Sequence, residues 1–329
     1  MDTWRPPTPS QLRRLVEELG ESGLELDGSA PWHRPAVDEI AYALRPRIHE
    51  RYVPSYGAVV APTTEPATWG ELTGLVIERG PVSEHTGGAA RHYADGLASW
   101  LLRHPDGSRE WMTFDRPAGS ERDVVVLSKA MGACVVQRHP SGIVRIVGRF
   151  GVYRWAGLGW HHEPLVSDWI DGLGLAGDGE DQSVLRRLLE FAVHDLGARG
   201  IGAILVHRVD GNDHPGRELR TAPPPRLRIT RPMALAPLRH ALAQTDGAAV
   251  FDPEGVLVQI GVRLVPTSAA EGGVDGFRGM RHTAARRYSY DDPEATVIVV
   301  SEDGPVTVFR GGHVAGTAQS IRELPTSGT

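Results

Sequence analysis

Short apolar runs separated by turn residues are the feature that most restricts the fold, and they are clearest between Thr245 and Val314. The runs Ala249–Phe251, Val256–Ile260 and Thr296–Val300 are three to five residues long. Runs this short suit strands rather than helices, which usually need about ten or more residues. The sequence Asp252-Pro253-Glu254-Gly255 separates the first two runs and is typical of a tight turn. This part of the chain therefore predicts a β-sheet.

Segments with helical signals flank these runs. Ser183 can cap a helix that continues to about Leu196, and a strand at Ile201–His207 follows it. We expect a second helix over Ala234–Gln244 and a third that begins at Arg281-His282. The run at Val306–Arg310 is expected to pair with the last of the three runs above. This order predicts a mixed β-sheet with helices on both sides.

The first half of the chain is predicted to be β-rich, with helices at its start. Apolar residues at helical spacing favour helices over Pro9–Leu19 and Pro35–Arg51. Two hairpins are expected around the turns Pro105-Asp106-Gly107 and His139-Pro140-Ser141. We identify no family in this half. The remaining predictions are strand and loop over Ser55–Gly88, a buried strand at Asp123–Leu127 and a strand at Gly151–Trp155.

Length and local composition predict two domains. A chain of 329 residues suits about two units of roughly 150 residues each. The Gly- and Asp-rich loop Gly172–Gln182 is the expected boundary. We therefore expect a β-rich α+β domain over 1–178, an α/β (α+β) domain with a mixed sheet over 179–318, and a disordered tail over 319–329.

Composition narrows the functional classes. The net charge of −6 and the isoelectric point near 6.2 argue against a general nucleic-acid-binding surface. No apolar run approaches the roughly 20 residues of a membrane span, and the N-terminus lacks the pattern of a signal peptide. Cys134 is the only cysteine, so no internal disulfide can form. Lys129 is the only lysine and follows Ser128 rather than glycine, which excludes a P-loop. We expect a cytoplasmic protein without membrane or nucleic-acid partners.

Three polar motifs lie beside the strands or at a helix start: Asp246-Gly247-Ala248, Arg281-His282-Thr283 and Ser301-Glu302-Asp303. Carboxylates suit Mg²⁺ or Mn²⁺, because these ions prefer oxygen ligands. An arginine at a helix N-terminus suits phosphate, because its donors add to the backbone amides and the helix dipole. Each motif also has an ordinary alternative, namely a turn aspartate, a surface Arg-His pair and a hairpin turn.

The three motifs in this order resemble the diadenylate cyclase family, whose catalytic domain also heads the bacterial DNA-integrity scanning protein. The similarity rests on Asp246–Ala248, Gly279–Ala285 and Val299–Gly304. It extends upstream through Leu188–Val206, which looks like the helix and first core strand of that domain. The resemblance covers roughly 181–312 and implies the diadenylate cyclase fold for the second domain.

The resemblance implies a role for each motif residue. Asp246 would be catalytic and a metal ligand, and Arg281 and His282 would be catalytic residues that hold phosphates. The implied cofactor is a divalent metal, Mn²⁺ or Mg²⁺. The remaining implied nucleotide contacts are Gly247, Ala248, Met280, Thr283 and Ser301, and the further implied metal ligands are Glu302, which is preferred, and Asp303.

The chain departs from the family pattern at three positions. Thr245 stands where some members have histidine, Met280 where threonine is frequent, and Thr283 where the usual Arg-His-Arg motif has its second arginine. A threonine hydroxyl can bond a phosphate oxygen but carries no charge. Either Arg286 or Arg287 compensates for the missing charge, or triphosphate is bound more weakly.

The resemblance implies an enzyme that condenses two ATP molecules into cyclic di-AMP and two pyrophosphates. A twofold product made from two identical substrates predicts an active site between two facing catalytic domains, hence at least a homodimer. The N-terminal domain would then regulate activity or support oligomerisation. Two alternatives stay open: a nucleotide-binding sensor of ATP or cyclic di-AMP that does not catalyse, and a scaffold whose N-terminal half binds a protein partner.

Two other motifs favour ordinary explanations. Gly172–Gly177 fits Gly-x-Gly-x-x-Gly, but it lacks the preceding strand and following helix of a dinucleotide fold, so a linker is favoured. His161-His162-Glu163 could contact a metal, but zinc sites need further ligands at defined spacing, and a solvated turn is favoured.

Overall fold

The computed structural model describes residues 6–46, 48, 50, 52–82, 90–155, 157, 159–173, 180–208, 217–218, 223–302 and 305–317. The chain divides into two compact units, Met1–His162 and Glu163–Thr329. The boundary expected near 178 lies in 174–179, outside the described residues, as do most of the predicted Gly172–Gly177 linker and the tail at 319–329.

The N-terminal unit contains one sheet with helices on both faces. Its described strands follow the order β2-β4-β3-β1-β5-β6-β7-β8, in which β1 and β3 are parallel and the other neighbouring pairs from β2 to β7 are antiparallel. Its elements are α1 (Pro9–Glu21), α2 (His33–Leu44), β1 (Tyr56–Val60), α3 (Pro66–Thr73), β2 (Ile77–Pro81), β3 (Ser99–Arg103), β4 (Arg109–Phe114), α4 (Glu121–Met131), β5 (Cys134–Arg138), β6 (Val144–Gly148), β7 (Gly151–Trp155) and β8 (Trp160–Glu163), whose last residue is the first of the C-terminal unit.

Alternate residues of the central strand β1 supply two separate cores. Ala58 and Val60 belong to the cluster that buries α1 and α2, whereas Val59 belongs to the cluster that buries α3 and α4. This alternation follows from the period of two in a strand. The predicted β-rich α+β character of this half and both of its hairpins are confirmed.

The segment Asp123–Leu127 lies in helix α4, so the prediction of a buried strand there was wrong. Ser120 Oγ accepts a hydrogen bond from the Asp123 amide at 3.2 Å, and the Asp123 carboxylate accepts one from the Ser120 amide at 3.0 Å. This capping box starts the helix, and Gly132, with a φ of 57°, ends it. Val126 is 39% exposed, so not every valine of this run is buried, as a buried strand would require.

Three further predictions in this half need correction. Helix α2 ends at Leu44 rather than Arg51, because Pro46 disfavours helical backbone at Arg45, whose φ is −132°. Helix α3 lies within the stretch predicted as strand and loop. Glu163, predicted to lie in a solvated turn, ends strand β8 and is 2% exposed.

The C-terminal unit contains a mixed sheet flanked by helices, as the sequence predicts. Its described strands follow the order β10-β12-β11-β9-β13-β14-β15, with β9 and β11 parallel and the other pairs antiparallel. Its elements are α5 (Val166–Gly172), α6 (Glu180–Phe191), β9 (Ala203–Arg208), β10 (Arg217–Glu218), α7 (Pro232–Leu242), β11 (Ala248–Phe251), β12 (Leu257–Leu264), α8 (Ser268–Gly273), α9 (Met280–Asp291), β13 (Ala295–Val300), β14 (Thr307–Arg310) and β15 (His313–Thr317).

The central strand β9 divides the core of this unit. Leu205 belongs to the cluster formed with α5, α6 and α7, and Val206 belongs to the cluster formed with α9. Ser183 lies inside α6, which begins at Glu180, so Ser183 is not the predicted helix cap. A π-helical turn at Ala192–Leu196 continues α6. Within the described residues, no helix has the length and apolar character needed to cross a membrane.

Candidate functional site

A cavity of about 710 Å³ opens in the C-terminal unit beside the start of β11, the end of β12 and the start of α9. Asp246, Gly247, Met280, Arg281 and His282, all singled out in the sequence, line it. Its volume lies within the range of roughly 300–1,000 Å³ that is usual for small-ligand sites. The fold therefore brings the first two polar motifs to one cavity.

Glycine is required at 247 by the close approach of β11 to β12. Gly247 has a φ of 103°, and a Cβ there would lie 2.8 Å from the Gly261 carbonyl carbon and 2.9 Å from the Val262 oxygen. Both obstacles are backbone atoms, so they cannot turn away. Gly247 thus allows β12 to lie close to Asp246, the residue before Gly247. Asp246 Oδ1 accepts a hydrogen bond from the Gly247 amide at 3.0 Å.

Asp246 is exposed and forms no ion pair with any described residue. Thr245, which replaces a potential metal ligand, instead donates its hydroxyl to the Ala241 carbonyl at 2.8 Å. The Asp246 carboxylate is therefore accessible to a cation in the cavity.

Arg281 faces Glu302, which joins the second motif to the third. Its Nη1 lies 3.2 Å from Glu302 Oε1, and the two side chains are 44% and 60% exposed. An ion pair this exposed contributes little to stability, so its partners can exchange for a ligand at small cost. Arg281 reaches this position over Gly202, where a Cβ would lie 2.2 Å from Nη1.

His282 is 9% exposed and lies among aromatic rings. Its ring centroid is 5.9 Å from that of Phe277 and 6.1 Å from that of Phe309. Burial lowers the pKa of His282 below its ordinary 6.5, and the positive charges of Arg278 and Arg281 lower it further. His282 is consequently a neutral imidazole near pH 7, able to donate one hydrogen bond without adding charge.

The Thr283 hydroxyl is committed to the protein itself. It accepts the Phe277 amide at 3.0 Å and donates to the Phe277 carbonyl at 3.2 Å. Arg286 bonds the carbonyls of Gly312 and Asp275, at 2.8 and 3.2 Å. Arg287 bonds the Val274 carbonyl at 3.2 Å. These bonds hold the loop before α9 and the turn at Gly312, and they leave the charge that Thr283 lacks without an evident replacement on that helix.

The other predicted residues have different surroundings. Met280 lines the cavity and is 91% exposed, and Ala248 is buried within β11. Ser301 and Glu302 follow β13, and neither is among the described residues that line the cavity. Asp303 lies outside the described residues.

The oxygen donors near the cavity meet part of what a divalent metal needs. Asp246 offers an accessible carboxylate, and Glu302 is held by Arg281. The described residues contain no group of three side chains that could hold a metal. Mg²⁺ is often bound by one or two carboxylates together with substrate phosphates and water. The residues present fit a metal that arrives with a nucleotide.

Several residues of the site were missed from the sequence. Gly261 and Arg263 line the cavity from β12, and Gly202 gives room to Arg281. Val262 and Leu264 line the cavity as well, so the alternation of side chains along a strand does not single out Gly261 and Arg263. Gly202 shows no signal in the sequence, because its role depends on a side chain far along the chain.

The chain matches two family models. Residues 190–314 match the model described as DisA bacterial checkpoint controller nucleotide-binding, DAC. Residues 13–163 match the model described as a probable sensor domain, DACNK. The second match covers the half in which the sequence reasoning found no family.

Two similar solved structures were also found. A hypothetical membrane spanning protein from Bacillus cereus is 24% identical, with 45% of this chain and 68% of that chain covered and a TM-score of 0.33. A double mutant of DacA from Staphylococcus aureus is 19% identical, with 44% of this chain and 94% of that chain covered and a TM-score of 0.29. No curated protein matches the chain.

The family model spans the strands and the helix start that form the cavity, and it agrees with the resemblance read from the three motifs. Residues 190–314 of this chain thus match the DisA bacterial checkpoint controller nucleotide-binding (DAC) model over the part of the chain that forms the cavity.

Proposed function

We propose that the C-terminal domain is a diadenylate cyclase, which condenses two ATP molecules into cyclic di-AMP and two pyrophosphates. One observation carries this proposal: Asp246, Arg281 and His282 line a single cavity in a domain of a nucleotide-binding family. An acid, a cation and a neutral hydrogen-bond donor at one cavity suit a phosphate-bearing ligand with a bound metal.

Each half-reaction forms a bond between a ribose 3′-oxygen and the α-phosphorus of the other ATP. The bond between that α-phosphorus and the oxygen that bridges it to the β-phosphorus breaks, and pyrophosphate leaves with the bridging oxygen. Such phosphoryl transfer depends mainly on positioning and charge neutralisation. Arg281 would donate to phosphate oxygens, and the neutral His282 would orient them. No side chain caps α9, so its first amides and its dipole can add to the same cradle.

A divalent cation, Mn²⁺ or Mg²⁺, would supply the remaining chemistry by reducing the charge on the α-phosphate and helping to ionise the attacking hydroxyl. Asp246 would hold it together with phosphate oxygens and water. Glu302, which lies 3.2 Å from Arg281, is the second candidate ligand.

The proposed reaction needs two facing domains. Two identical substrates and a twofold product suit a site built across a twofold axis. The specific activity should therefore fall when the enzyme is diluted below the dissociation constant of the dimer. A monomer that keeps its full specific activity on dilution would contradict this arrangement.

The direct test incubates the purified full chain with ATP and Mn²⁺ or Mg²⁺ and separates the products by chromatography. Asp246→Asn should abolish cyclic di-AMP formation. Glu254→Gln is the matched control, because it removes an exposed carboxylate from a turn away from the cavity lining and should leave the rate unchanged.

A nucleotide-binding sensor is the second candidate. The committed Thr283 hydroxyl favours it, because this position then offers the triphosphate neither charge nor a hydroxyl. ATP or cyclic di-AMP binding without turnover, weakened by Asp246→Asn, would support the sensor instead of the cyclase.

A further inference from the structure

The cavity has few cationic side chains for a triphosphate. Of the described residues that line it, Arg263 and Arg281 are the arginines, and His282 is neutral near pH 7. Asp246 brings a negative charge to the same cavity. Phosphate binding therefore depends on each guanidinium that can reach the ligand.

The α9 helix does not supply the missing charge. Arg281 forms an ion pair with Glu302, in which Nη1 lies 3.2 Å from Oε1. Arg286 and Arg287 direct their Nε groups to the carbonyls of Gly312 and Val274, at 2.8 and 3.2 Å. A second cation must come from another element that borders the cavity.

Strand β12 provides such a cation. Arg263 is exposed, lines the cavity and has no hydrogen-bond or ion-pair partner for its side chain among the described residues. The close approach of Gly247 to Gly261 and Val262 holds this strand against Asp246. A guanidinium and an accessible carboxylate that line one cavity suit a ligand that presents phosphate to the arginine and a phosphate-bound metal to the acid.

We propose that Arg263 binds the phosphate chain of a nucleoside triphosphate and replaces the charge that Thr283 lacks. This inference rests on the proposed function only in that the cavity binds a nucleotide. Arg263 is a binding residue for the phosphates, and it takes no part in proton transfer.

The test measures binding by the full chain with Mg²⁺, using an ATP analogue whose α- and β-phosphates are joined by a methylene group, so that pyrophosphate cannot leave. Adenosine serves as the phosphate-free probe. Arg263→Gln should weaken analogue binding about 10- to 100-fold, the usual loss for a hydrogen bond to a charged group. Adenosine binding should not change. Arg263→Lys should give an intermediate loss, and Arg310→Gln, an exposed arginine on β14, should give none.

Each result decides the question. An Arg263→Gln variant that binds the analogue as tightly as the wild type would overturn the inference. An equal loss for adenosine would also overturn it, because that loss would report a distorted site. If the wild type binds the analogue, the variant binds it weakly and ATP is not converted to cyclic di-AMP, then the inference holds and the cyclase proposal fails. If the wild type binds no nucleotide, both fail.

Discussion

At the scale of single residues, two glycines near the site are required for different reasons. A Cβ at Gly202 would meet the end of the flexible Arg281 side chain, 2.2 Å from Nη1. A Cβ at Gly247 would meet the backbone of Gly261 and Val262, at a φ of 103° that side chains rarely adopt. The first glycine gives room to the Arg281 side chain, and the second permits a strand contact.

The two alanine variants should therefore behave differently. Gly202→Ala should fold with nearly unchanged stability but bind ATP about 10-fold more weakly, because Arg281 is displaced. Gly247→Ala should lose about 1–3 kcal/mol of unfolding free energy, because both its φ and its neighbours oppose a Cβ. Denaturant unfolding and ATP titration of each variant check this. Equal effects of the two variants on stability would contradict the assignment.

The buried His282 predicts a pH-dependent stability. Its pKa is lowered by burial and by Arg278 and Arg281, so below pH 6.5 the unfolded chain binds a proton more readily than the folded chain. The contribution of the neutral His282 to the unfolding free energy is then fully present above pH 6.5. It declines as the pH falls below that value. His282→Asn should lose less unfolding free energy than the wild type between pH 7.5 and 5.5. The exposed His240→Asn is the control, and an unchanged pH dependence in His282→Asn would refute the prediction.

At the scale of elements, the start of α9 is fixed by Thr283, which forms two hydrogen bonds with Phe277. Replacing it by the arginine of the usual motif, Thr283→Arg, should cost about 1–3 kcal/mol of unfolding free energy, because both bonds are lost. Thr283→Ser keeps the hydroxyl and should cost less. A Thr283→Arg protein as stable as the wild type, with tighter ATP binding, would show that the loop does not need these bonds.

The elements differ in how far the sequence predicts them. Thr296–Val300 and Val306–Arg310 are short β-branched runs around a turn, and their predicted pairing is confirmed. Helix α4 was missed because consecutive valines outweighed the capping box that starts at Ser120. The Asp246 and Arg281 motifs were readable because each lies at an element end. Arg263 was not, because a lone arginine in a strand gives no sign of which wall it faces.

At the scale of the whole molecule, the first helix of the C-terminal unit, α5, determines where a fragment that keeps the fold of this unit can begin. Trp169 of α5 is fully buried with residues of α6 and α7, in the cluster that also covers the sheet. Glu163 Oε1 accepts a hydrogen bond from the Val306 amide at 3.0 Å, and Val306 follows Glu302 by four residues. Both contacts lie within the C-terminal unit, yet both residues precede the boundary expected near 178.

A fragment of residues 163–329 should consequently be more stable than a fragment of residues 179–329. The shorter fragment loses Trp169, and removal of a buried tryptophan side chain usually costs about 3–5 kcal/mol. Thermal unfolding of the two fragments and the full chain measures the difference, and equal unfolding temperatures would show that α5 is dispensable. The longer fragment is then the one suited to test the expectation that the N-terminal domain regulates activity or supports oligomerisation. A rate of cyclic di-AMP formation or a dilution dependence that differs from the full chain would support regulation, whereas identical values in a folded fragment would count against it.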